Sequence, residues 1–158
     1  MTVSHTCEAV TVTSTLLSTF LSNPSGYTMK LYPSLNGADK DARTIEDVDV
    51  TVDTIDLNPS DFGLTEWETS VYGVRLSLTP TGEPEQYEEY CFFSDCSDLL
   101  CTVHEYQIDN PTSKVRNLYD ALVDLEGCGD CDCTYMVKAY SLLLSELNSS
   151  TTTEDCGC

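Results

Sequence analysis

Positive charge is what this chain has least of. Seven Lys and Arg stand against 27 Asp and Glu, a net charge of −20 at pH 7 over 158 residues. A surface of that sign repels phosphate backbones and anionic lipid, so neither direct nucleic-acid binding nor membrane association is expected. Histidine is scarce too, with only His5 and His104. No serine lies in a G-x-S-x-G elbow, and neither a Gly-rich phosphate loop nor a Cys-His-Asn set is legible, so the chain is not expected to be an enzyme. Apolar runs are short, none approaching the roughly 18 residues of a membrane helix. Met1–Ser18 lacks the basic and continuous apolar regions of a signal peptide. The expectation is synthesis in a reducing cytoplasm, which leaves thiols unpaired, unless the protein later leaves in a particle. What the acidity favours is solubility, cation accumulation or docking on a basic partner.

A hydrophobic fraction of 41% supports a modest core. The Ser/Thr-rich residues 1–25 read as an N-terminal arm that orders on assembly, or as a short strand at Val10–Val12 with a helical turn or two over Thr15–Leu21. From residue 26 to 94 the pattern has period two. Tyr27–Tyr32 alternates, Pro33–Arg43 with Asn36-Gly37 reads as a loop, and Asp47–Asp53 puts Val48, Val50 and Val52 inward. Phe62–Trp67 is a connector whose aromatic ends cap the core. Ser70–Thr79 is the clearest strand, with Tyr72, Val74, Leu76 and Leu78 on one face. A loop at Pro80–Pro84 returns the chain through Gln86–Phe93.

Over residues 95–148 the period becomes helical. A short helix from about Ser97 to Tyr106 buries Leu99, Leu100 and Val103. Asn110–Ser113 opens a second carrying Val115, Leu118, Leu122 and Leu125, which Gly127 and Gly129 stop. The third presents Met136, Ala139, Tyr140, Leu143 and Leu147, and residues 149–158 form a polar tail. The expected fold is therefore α+β: a small antiparallel β-sandwich or sheet followed by three short helices packed on it.

Cysteine is plentiful: nine in all, eight of them in the last 70 residues. Three readings stand. Cys101 and His104, three apart on a helix, and Cys128-x-x-Cys131 in a Gly-rich turn make a possible tetrahedral zinc set, with Cys96 or Cys133 as substitutes. A second reading is redox chemistry or disulfide pairing: the same Cys-x-x-Cys is spaced like a redox motif, although Asp130 and Asp132 would raise rather than lower thiol pKa. The simplest reading is plain buried thiols where a strand and three helices converge. Zinc, if present, would be structural, and no other cofactor is expected. Asp39, Asp41, Glu46, Asp47, Asp49 and Asp53 lack the spacing of a calcium loop. Trp67, Tyr72, Tyr87 and Tyr90 are either core residues or interface anchors.

The strand Val-Tyr-Gly-Val-x-Leu-x-Leu at 71–78 leads through a hairpin into Cys-Phe-Phe-x-x-Cys-x-x-x-x-Cys at 91–101. It is followed by Leu118-Tyr-Asp-Ala-Leu122, Cys-Gly-Asp-Cys-Asp-Cys at 128–133 and the last helix. Over Val71–Leu147 this combination resembles small virion or neck proteins of tailed bacteriophages, crAss-like phages among them. The resemblance implies a structural protein of the virion, assembled in the host cytoplasm, forming an oligomeric ring at the head–tail connector or tail and contacting portal or tail proteins. The charge alone allows a second class, a small acidic binding module with structural zinc or a nucleic-acid mimic acting as an inhibitor.

Overall fold

The computed structural model describes residues 1–46, 50, 53–127 and 133–150. The fold is α+β, with two antiparallel sheets and four helices. The chain runs β1 (Thr2–His5), β2 (Val10–Thr13), α1 (Thr15–Ser22), β3 (Tyr27–Leu35), β4 (Ala38–Asp39), β5 (Arg43–Thr44) and β6 (Thr54–Leu57). It continues through β7 (Ser70–Pro80), β8 (Gln86–Ser94), α2 (Leu99–Asp109), α3 (Lys114–Asp124) and α4 (Thr134–Ser150). A small sheet has the order β1-β2-β6; a five-stranded sheet has the order β4-β3-β7-β8, with β5 also pairing β3.

β7 is the centre of the molecule because its two faces serve two separate cores. Tyr72, Val74, Leu76 and Leu78 project forward and meet Met29, Leu31 and Phe92 of the same sheet. Val10 and Val12 of β2, Ile55 and Leu57 of β6, and Leu16, Leu17 and Phe20 of α1 close this front core. Val71, on the opposite face, joins Cys91 and Phe93 of β8 in a rear core with Val103, Val115, Leu122, Met136, Ala139 and Leu143 of the three C-terminal helices. The period-two alternation of β7 thus divides its side chains between a front layer of the small sheet with α1 and a rear layer of the three C-terminal helices.

The first 25 residues are not a detached arm. Ser14 caps α1, its hydroxyl accepting from the Leu16 N–H at 3.1 Å, and the helix buries Leu16, Leu17 and Phe20 on one face. β3 continues through Pro33 to Leu35, where a loop was expected. The Pro33 carbonyl accepts from the Lys40 N–H, just past β4, at 2.9 Å. Asn36 (φ 50°) and Gly37 (φ 78°) then make the tight two-residue turn into β4, both in the left-handed region that a hairpin of this kind requires. The strand expected over Asp47–Asp53 lies largely outside the described residues. Thr54–Leu57, unassigned by pattern, is the strand that pairs β2.

The helices follow the amphipathic reading with one correction. Val103 is buried in α2, but Leu100 is 47% exposed, because the inward stripe runs through Leu99, Val103 and Tyr106 and Leu100 is turned about 100° away. Ser113 caps α3 through the Val115 N–H at 3.2 Å. Gly127 (φ 68°) stops the chain after α3, and its N–H donates to Cys91 O at 3.2 Å. The Phe93 N–H donates to the Glu126 carboxylate at 3.0 Å, so the end of α3 covers this part of the open edge of β8. Among the described residues no helix is long and apolar enough to cross a membrane.

Candidate functional site

Four cysteines that a reducing cytoplasm would leave unpaired are joined in two disulfides. Cys7, in the β1–β2 turn, bonds Cys96, just after β8, across 89 residues. Cys91, on the rear face of β8, bonds Cys133, at the head of α4, across 42 residues. The Cα separations of 5.3 and 5.7 Å are those of ordinary bridges. The first ties the small sheet to the strand–helix junction, and the second ties the helical layer to the large sheet. Sequence spacing carried no sign of either pairing, because partners this far apart are brought together only by the packing of three layers.

The zinc set is not assembled among the described residues. Cys101 and His104 do lie on α2, and both are exposed. Cys96 and Cys133, the proposed substitutes, are held in the disulfides and have no thiolate to give. Cys128 and Cys131 lie outside the described residues. No group of three or more His, Cys, Asp or Glu is placed to hold a metal among those that are described.

The structure draws attention instead to the rear face of the five-stranded sheet. The helices cover it only at the Val71 and Phe93 end. Beyond that lie the cross-strand rows Tyr32–Arg75–Glu89 and Lys30–Ser77–Tyr87, in which Glu89 and Tyr87 are exposed, Lys30, Tyr32 and Arg75 half-buried, and Ser77 buried. At the boundary, between this open face and the head of α4, lies a cleft of about 530 Å³. Tyr32, Ser34, Gly73 and Arg75 form its floor, the Cys91–Cys133 bridge one wall, and the hairpin residues Asn36, Asp39 and Lys40 another.

Gly73 is what lets this cleft exist. It sits directly opposite Cys91 in the ladder, and a Cβ built on it would stand 2.8 Å from Cys133 Sγ, so the disulfide crosses the strand only over a glycine. The hairpin wall is pinned from behind: the Asn36 side chain accepts from the Val71 N–H at 3.0 Å and donates to Ser70 Oγ at 3.2 Å. Tyr90, which also lines the cleft, has its phenol pKa raised by burial and by the nearby Glu126 carboxylate.

Charge is distributed unevenly here. Of the seven basic residues, Arg43 pairs with Asp61, Lys114 with Glu146 and Arg116 with Asp120, while Lys138 lies over the Tyr135 ring. The other three, Lys30, Lys40 and Arg75, have no carboxylate partner among the described residues, and all three belong to this face or its rim. The Arg75 guanidinium lies 4.3 Å from the Tyr32 ring centre and 5.8 Å from that of Tyr87, an arrangement that holds the cation out of an ion pair and in reach of a ligand. Of the four aromatic residues singled out earlier, Tyr72 is wholly buried and Trp67 packs against the front core with Tyr90. Tyr87 alone stands out, 60% exposed. The one sequence signal for this site was a glycine inside a strand, which marks close approach by another group.

Comparisons with protein-family models, with curated proteins and with solved structures found no match.

Proposed function

We propose that this chain is a non-catalytic structural subunit of a tailed-phage virion, assembling through protein–protein contacts into a ring at the head–tail connector or in the tail. The observation that carries the reading is the half-uncovered rear face of the five-stranded sheet. The Arg75 guanidinium lies there against the Tyr32 ring and near that of Tyr87, and Tyr and Arg are among the residue types that dominate binding energy at protein interfaces. The resemblance over Val71–Leu147 supplies the context. Two disulfides suit a protein that travels outside the cell, where oxidising surroundings keep such bonds intact. The acidic remainder of the surface keeps a channel-facing wall from adhering to DNA and complements basic faces on portal or tail neighbours.

Mass spectrometry of purified particles, paired with the native mass of the isolated oxidised protein, tests the reading. The expected result is a fixed copy number per particle and a closed oligomer in solution. Absence from intact particles overturns it.

A further inference from the structure

We propose that the cleft lined by Arg75 and Lys40 receives the acidic β7–β8 hairpin tip of a second copy of this chain, in a head-to-tail contact. The inference rests on the assembly reading above and names the two surfaces that would build it.

The tip is a presented feature. Its turn closes through the Glu83 N–H to Pro80 O at 3.1 Å, with Gly82 at φ 82°. It is braced from the side, since both the N–H and the hydroxyl of Thr81 donate to Gly26 O, at 3.1 and 3.3 Å. Residues 81–86 are all exposed. Glu83 and Glu85 stand there on either side of Pro84 with no ion-pair partner among the described residues. A braced turn containing proline loses little conformational freedom on binding.

The charged residues lining the cleft balance, Arg75 and Lys40 against Asp39 and Glu89, so what complements the tip is the two individual cations. Two copies at −20 each repel one another, so any self-contact must set the few cations of one against carboxylates of the other. Arg75 and Lys40 are cations without an ionic partner that line one concave site, and Tyr32 beneath Arg75 supplies apolar area for a proline-containing turn. Asp39 and Glu89, which also line the cleft, repel a carboxylate placed out of register and so narrow the accepted pose.

The contact has to be intermolecular. Five residues of strand separate Arg75 from Pro80, about 17 Å at the usual rise, and both ends belong to one rigid hairpin. A subunit therefore does not reach its own cleft. Because the two surfaces differ, the contact is heterologous, and repetition closes a ring or runs on as a filament.

Sedimentation velocity on the full oxidised chain tests this with three charge-reversal variants: Arg75→Glu, the pair Glu83→Arg with Glu85→Arg, and all three substitutions together. The wild type is expected to associate. Each of the first two should weaken association about ten-fold or more, and the triple variant should recover it. The tip pair lies on an exposed loop, so it keeps the test decisive if Arg75→Glu fails to fold. Association unchanged in both single-surface variants overturns this contact and leaves the assembly reading standing. A wild type that stays monomeric at all concentrations overturns both.

Discussion

Glu88 shows how one carboxylate is used on the front side of β8. Burial raises its pKa, but the Ser14 hydroxyl donating at 2.6 Å and the Met1 amine at 3.1 Å outweigh that, and the group is held below its ordinary value. A lowered folded-state pKa contributes stability that is fully present above the unfolded value and is lost as pH falls through the folded one. The difference in denaturant midpoint between wild type and Glu88→Gln isolates this contribution from the relief of net charge that acid brings to both. Glu88→Gln should lower the midpoint modestly at pH 7, and the difference should close as pH falls toward 3. Gly73 is the second decisive residue. Gly73→Ala forces a methyl against both Ser34 Oγ and Cys133 Sγ, and overpacking of this kind costs about 1–3 kcal/mol. Chemical denaturation should show that loss, and thiol titration of the native variant should find the Cys91–Cys133 bridge formed less completely than in the wild type.

Among the elements, the disulfides do more than the helical propensities. The amphipathic stripe of α3 leaves only Val115 and Leu122 fully buried, and a helix of 11 residues is not stable by itself. Its place is set by Gly127 and Glu126 bonding β8 and by the bridge at the head of α4. A polar seam reinforces the layer: Tyr140 donates to Thr69 O at 2.9 Å, and Thr69 donates to Ser97 Oγ at 2.7 Å. Burial, with Asp95 nearby, keeps Tyr119 and Tyr140 protonated beyond the ordinary phenol range. Loops of 89 and 42 residues imply that each cross-link removes about 4 kcal/mol of unfolded-state entropy. Reduction under native conditions should lower the thermal midpoint sharply. Replacing Cys91 and Cys133 together by Ser should loosen the helical layer first, seen as faster amide exchange in α2–α4 than in β3 and β7.

For the whole molecule, net charge is the governing quantity. With 27 acidic residues against seven basic ones, self-repulsion opposes compaction, and the ion pairs are too few to offset it. Raising NaCl from 20 to 300 mM shortens the screening length and should raise the thermal midpoint by a few degrees, read by calorimetry. A midpoint that falls with salt would mean that local ion pairs outweigh the global field.

Period and composition by themselves determined the class of fold. The alternation over Ser70–Thr79, the 3-4-3 recurrence from Val115 to Leu125 and the stripe from Met136 to Leu147 are local consequences of strand and helix geometry, and they fall where expected. The net charge was equally legible. Tertiary structure decided what depends on contacts between distant residues. It packed the first 25 residues into the front core, recruited Thr54–Leu57 as a strand, and paired Cys7 with Cys96 and Cys91 with Cys133. It also left half of one sheet face open, with Arg75 stacked on Tyr32. No local pattern encodes these, because each depends on which layer comes to lie against which face of β7.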